Sequence, residues 1–277
     1  MFPISTTCTH RSETIPVSIL DRSHLRAASD QATALRQTIE RAQHAERLGY
    51  KRFWVSEHHG VPGVAGAAPT VLLAVIGAKT HSIRLGSGGV MVPNHQPLVI
   101  VEQFGPLAAL YPCRIDLGLG RSLGFVAPVR RETYDPGDFR NDLAEISALL
   151  QGDANVTAYP GTGAGIPLFV LASSSSAIVA AEAGLPLVIG GPKVLAKQGD
   201  GATVIDRYRA AFQPSAHASN PYVILNVNLL LADTDAEATD LALSEAWAYI
   251  ASKIQDEGQR DRLATMAANT TSGTPSE

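Results

Sequence analysis

Ser82–Pro97, SIRLGSGGVMVPNHQP, is the stretch on which the reading of the fold turns. It starts as a strand with Ile83 and Leu85 and passes through Gly86, Ser87, Gly88 and Gly89. It becomes apolar again over Val90–Val92 and stops at Pro93. Glycines inside an extended segment cost backbone entropy and remove side chains that could pack. They make sense where a flat or bulky group lies against bare backbone, or where a barrel strand bulges or bends. A dinucleotide phosphate loop does not fit, because Met91 stands where the last glycine of G-x-G-x-x-G belongs.

Outward from this strand, the chain reads as an alternation. Ile15–Leu20, Arg52–Val55 (RFWV), Arg114–Leu117 (RIDL), Pro167–Leu171, Leu187–Ile189 and Tyr222–Leu231 are the other predicted strands, the last being the longest. Between them, apolar residues recur at helical spacing: Leu35, Ile39, Ala42, Ala45 and Leu48, closed by Gly49; Pro69–Ala78; Leu98–Leu110; Phe139, Leu143, Ile146 and Leu150; Ser173–Ala183, closed by Gly184; and Val204–Phe212. Asp233–Gln255 completes the series. Such alternation argues for parallel βα units. A doubly wound sheet would carry a nucleotide fingerprint in its first unit, and none is there. The predicted fold is therefore an α/β TIM (β/α)8 barrel, read as lacking or not showing its last β/α unit, over residues 15–277. Residues 1–14 are expected to be a flexible N-terminal tail. Leu123–Asp138 is long for a connection and is expected to be functional or mobile; Ala158–Gly165 (AYPGTGAG) is turn chemistry.

Composition narrows the class. Hydrophobic residues make up 45% of the 277 and charged residues 17%, ample for a buried core. A net charge of −4 gives no general basic surface, so nucleic acid is not an expected partner. Cys8 and Cys113 are too few and too scattered for a disulfide framework or a zinc site. No apolar run approaches the roughly 20 residues of a membrane span. The polar start MFPISTTCTHRSET has no secretory apolar segment. The expectation is a cytoplasmic protein that does not engage membranes.

Chemistry in such a barrel sits at the C-terminal ends of the strands. That rule selects Glu57, His58 and His59, the glycines after Leu85, Arg121, and Ser173 with Ser176. Successive side chains along an extended chain point to opposite faces, so His58 and His59 do not easily share one metal ion, and no metal is expected. One histidine facing the barrel mouth would suit proton transfer, with its titration near neutral pH; alternatively both are structural. Ser173 and Ser176 are spaced to share the first turn of a helix, whose free N–H groups and dipole favour a phosphate, or they are ordinary caps. Arg121 would supply the matching charge, or form a surface salt bridge. Asp116 is read as paired with Arg114 or a neighbour, His95 as solvated or packing, and Glu102 as packing or a subunit contact.

Together, Phe53–Gly60 (FWVSEHHG), Ile83–Pro97, Arg114–Arg121 (RIDLGLGR) and Pro167–Pro186 resemble the bacterial luciferase-like monooxygenases. The resemblance runs from about Ile15 to Glu277 and is closest to single-chain members of antibiotic biosynthetic clusters. It implies a TIM barrel that takes FMN, as FMNH2 from a separate flavin reductase, and forms a 4a-hydroperoxyflavin with O2. One oxygen atom then passes to a small organic substrate of the polyketide or other secondary-metabolite kind. It implies a flavin ring against Gly86, Ser87, Gly88 and Gly89, with a non-prolyl cis peptide at Gly88–Gly89. It also implies phosphate contacts from Arg121, Ser173 and Ser176, a catalytic His58, and a homodimer through the helices after the second and third strands. Where luciferase has a reactive cysteine this chain has Gly120, so no thiol chemistry is implied there. The family pattern continues beyond the motif matched by Gly273–Pro275 with a helix and the last strand. Two other readings stand beside it: a deazaflavin-dependent oxidoreductase on the same barrel, and a non-catalytic flavin-binding or partner subunit.

Overall fold

The computed structural model of the chain describes residues 15–25, 30–61, 63–122, 138–172, 176–190, 201–240 and 242–243. The elements follow in order as β1 (Ser18–Asp21), α1 (Gln31–Arg47), β2 (Arg52–Val55), α2 (Pro69–Gly77), β3 (Arg84–Ser87) and β4 (Val90–Met91). Then come α3 (Pro97–Leu110), β5 (Ile115–Gly120), α4 (Asp138–Gln151), β6 (Leu168–Ala172), α5 (Ala177–Glu182), β7 (Leu187–Gly190), α6 (Gly201–Ala211) and β8 (Val223–Asn226). Every described strand pair is parallel, and the ladder runs β1-β2-β3-β5-β6-β7-β8 with β4 added against β5. This is the predicted α/β barrel architecture, with β1 and β8 at the two ends of the described ladder. Residues 123–137 and 244–255, parts of the predicted long connection and last helix, lie outside the described residues.

The two-residue period of each strand sorts its side chains into two layers. Phe53 and Val55, Leu168 and Val170, Leu187 and Ile189 face the helices and join Leu73, Ile76, Ile100, Phe104, Leu143 and Ile146 in the main core. The residues between them, Trp54, Phe169 and Val188, turn inward and pack with Leu20, Leu171 and Ile224 in a second, smaller cluster. The Trp54 and Phe169 rings meet edge to face at 5.1 Å across that interior. Helix starts follow local chemistry: Asp30 caps α1 by accepting from Thr33 N–H at 2.6 Å, and Pro69 and Pro97 open α2 and α3.

Two strands are shorter than expected, and β5 runs on to Gly120, three residues past the expected Leu117. β1 begins at Ser18 instead of Ile15, and Ile15 and Val17 are exposed. β8 covers Val223–Asn226 and pairs with β7 over Leu187–Gly190; Val227, Leu229 and Leu231 are exposed beyond it. The turn chemistry of Ala158–Gly165 is as expected. A Cβ on its Gly161 would stand 2.5 Å from the Val101 carbonyl oxygen, so the turn packs onto α3 backbone to backbone.

Candidate active site at the C-terminal strand ends

The glycine stretch is a β-bulge, and the register shows it. Leu85 and Gly86 of β3 pair with Ile115 and Asp116, whereas Val90 and Met91 of β4 pair with Leu119 and Gly120. Ser87, Gly88 and Gly89 therefore stand opposite Leu117 and Gly118 alone, one residue more on one side than on the other. The Gly88–Gly89 peptide inside the bulge is cis. Gly88 N–H donates to the Val55 carbonyl at 2.8 Å, tying the bulge to β2.

The glycines answer to close approach of protein as much as to bare backbone. A Cβ on Gly86 would lie 2.7 Å from Trp54 Nε1, one on Gly88 2.4 Å from Leu20 Cδ1, and one on Gly89 2.8 Å from the Gly118 carbonyl oxygen. Across the bulge, a Cβ on Gly118 would sit 2.1 Å from the Ser87 carbonyl oxygen. The Ser87 hydroxyl donates to Gly118 O at 2.8 Å and accepts from Gly118 N–H at 3.0 Å, so it fastens β3 to β5.

Beyond β2 the extended backbone alternates as expected, and it divides Ser56, Glu57, His58 and His59 into two pairs. Ser56 Oγ is 3.0 Å from His58 Nδ1, while Glu57 Oε1 is 2.7 Å from His59 Nε2. Glu57 is fully buried and gathers further donors from the far side of the bulge: Met91 N–H at 3.0 Å, His95 Nε2 at 2.8 Å and Asn94 Nδ2 at 3.3 Å. An ionised carboxylate only accepts, so both imidazoles present Nε2–H to it. Burial pushes the Glu57 carboxyl up, but the hydrogen bonds from His95, His59 and Met91 outweigh it and hold the group below its ordinary value. His95 is thus a partner of Glu57, not the solvated or packing residue the sequence indicated.

His58 also departs from expectation. Burial, followed by the charges of Arg22, His24 and His59, lowers its pKa to about 4, so it does not titrate near neutral pH but is a neutral imidazole there. A depressed pKa contributes stability that is complete above the unfolded value of about 6.5 and is lost as pH falls toward 4. Allowing for its partial exposure, the contribution is about 2 kcal/mol. Urea denaturation at pH 7 and pH 4 should show His58→Gln losing less stability on acidification than the wild type by about that amount. Equal losses in the two proteins would show that His58 is not held neutral.

Asp116 is not paired with Arg114. It is fully buried and accepts from Arg52 Nε at 3.1 Å, from Trp54 Nε1 at 3.2 Å and from the Arg84 guanidinium. Arg114 instead donates to the Ile83 and Thr80 carbonyl oxygens, both at 3.0 Å. Glu102 is exposed on α3.

Arg121 leaves β5 one residue after the Gly120–Leu171 and Gly120–Met91 pairings, at the mouth and beside both the bulge and the end of β6. It is partly buried, and among the described residues it has no ion-pair partner. Ser176 is buried at the start of α5 and makes no side-chain capping bond, so ordinary N-capping does not account for it. Ser173 lies outside the described residues. Gly86, Ser87, Gly88, Gly89, His58 and Arg121 all sit along the C-terminal ends of β2, β3 and β5. Among the described residues no helix is long and apolar enough to cross a membrane.

Comparisons with known proteins agree with this geometry. The family model described as luciferase-like monooxygenase matches residues 15–276. A luciferase-like monooxygenase of Escherichia coli strain K12 is 38% identical over 259 residues, covering 89% of this chain and 76% of the relative. The crystal structure of apo-MsnO8 superposes with a TM-score of 0.74 at 37% identity, over 83% of this chain and 70% of that one. The oxygenating constituent of 3,6-diketocamphane monooxygenase from Pseudomonas putida, solved in complex with FMN, shares the fold with a TM-score of 0.65 at 17% identity. It is covered over 86% of this chain and 78% of that one. Spanning nearly all of the described barrel, these matches show that the chain belongs to the luciferase-like monooxygenase family and is a flavin-dependent monooxygenase.

Proposed function

We propose that the chain is the oxygenating component of a two-component system, binding reduced FMN that a separate reductase supplies. The observation that carries the reading is Arg121, a guanidinium with no acid to neutralise it among the described residues, at the strand end beside the bulge. A partly buried cation without a partner is costly unless an anion completes it, and a phosphate monoester accepts both arms of a guanidinium. The donor set fits FMN: Arg121 with Ser173 and Ser176 for the phosphate, and the Gly86-Ser87-Gly88-Gly89 bulge for the ring. Reduced FMN held there would supply the two electrons for O2, one oxygen atom going to a small organic molecule, of the secondary-metabolite kind in this proposal, and the other leaving as water. His58 is the catalytic residue in this proposal: a neutral imidazole at physiological pH, with Ser56 Oγ 3.0 Å from its Nδ1, it would hydrogen-bond to flavin or substrate at the mouth.

A second copy of the chain is the partner we propose for α2 and α3. Val71 and Val75 lie one turn apart on α2 and are exposed with Val99 and Leu110 of α3, an apolar face that a dimer would cover. A monomeric mass in solution would remove that part of the proposal.

Rapid mixing tests the chemistry. The protein loaded anaerobically with reduced FMN and mixed with air-saturated buffer should release oxidised flavin after a clear lag. Oxidised flavin appearing at the rate of free reduced FMN would contradict an oxygenating role, and tighter binding of a deazaflavin than of FMN would replace it with hydride transfer.

A further inference from the structure

β4 continues the line of β3 and pairs with β5 on one side, but on the other side β2 has already ended at Val55. The Met91 N–H, which faces that gap, is accepted at 3.0 Å by Glu57 Oε2, so a carboxylate does what a neighbouring strand's carbonyl would do. The other oxygen holds His95 at 2.8 Å and Asn94 at 3.3 Å, on the turn that follows β4, and His59 at 2.7 Å on its own segment. Glu57 itself is fully buried. A buried carboxylate is kept ionised only by such donors, and it returns the constraint to each of them.

We propose that Glu57 is a positioning residue for the flavin seat. It fixes the chain on the exit side of the bulge and the backbone of the adjoining His58, so that ring and imidazole keep one relative geometry. The inference rests on the reading that the bulge seats the flavin. A misplacement of about 1 Å in such a seat costs binding and rate out of proportion to the bond lost.

The test is anaerobic binding of FMN to the wild type and to Glu57→Gln, read by fluorescence and by the visible circular dichroism of the bound flavin. The amide turns a donor toward groups that are themselves donors. FMN affinity should fall roughly tenfold or more, and the flavin dichroism should change. Glu57→Asp, which keeps the charge on a shorter arm, should recover part of both. A folded Glu57→Gln protein with affinity within about twofold of wild type and unchanged dichroism overturns the inference. Where Glu57→Gln does not fold, His95→Gln is read in the same way: changed dichroism supports the role and unchanged dichroism overturns it. Wild-type protein that binds no FMN removes the flavin reading and this inference with it. Wild-type binding that depends on Arg121 but not on Glu57 removes this inference alone.

Discussion

Replacing Asp116 by alanine is expected to cost the folded chain about 3–5 kcal/mol, a large share of the stability of an ordinary domain. Its carboxylate has no solvent exposure, and it holds Arg52 and Arg84, whose side chains are only 12% and 21% exposed. Trp54 Nε1 donates to the same oxygen as Arg52, at 3.2 Å. Truncation strands two poorly hydrated guanidiniums and an indole N–H inside the barrel, and a lost partner costs more there than the bond itself contributes. Asp116→Asn keeps an acceptor and should lose less. Urea denaturation followed by tryptophan fluorescence measures the difference, and a loss under about 1 kcal/mol for Asp116→Ala would mean that the arginines are hydrated without it.

The second large effect is on binding. Arg121→Ala should weaken FMN about ten- to a hundredfold, because removing a charged hydrogen-bond donor from a dianion costs roughly 1.5–3 kcal/mol and each 1.4 kcal/mol is tenfold. Riboflavin has no phosphate, and its affinity should stay within about twofold under the same substitution. The contrast separates loss of a phosphate contact from a general disturbance of the mouth, which would weaken both flavins alike. Stability should change little, since among the described residues Arg121 joins no ion pair that its removal would break.

Much of the architecture was legible because period and punctuation are local. RFWV is β2 residue for residue, and Pro69, Pro97 and Gly49 mark element ends where they stand in sequence. The length of β8 was not, because Tyr222–Leu231 is largely apolar throughout and a run of apolar residues carries no local mark of where strand pairing stops. At the site, strand alternation was enough to separate His58 from His59. It could also have indicated the Glu57–His59 contact, two residues apart on one face. The link from Glu57 to His95 spans a separation of 38 residues and is created by the bulge, so no local signal carries it. Arg114 was the nearer cation to Asp116 in sequence, but the partners come from other strands: Arg84 from the adjoining β3 and Arg52 from β2 beyond it. The glycines were read as bare surface for a ligand. Their Cβ directions are filled by Trp54, Leu20 and Gly118, which only the packed barrel reveals.

If, as proposed, the mouth of this barrel holds reduced FMN by its phosphate, a flavin without that phosphate must bind less tightly. Anaerobic titration of the wild-type protein with reduced FMN and, in parallel, reduced riboflavin tests it most directly. FMN should bind saturably and at least tenfold tighter than riboflavin, about 1.4 kcal/mol or more from the phosphate. Equal affinity for the two flavins, or no binding of either, would contradict it.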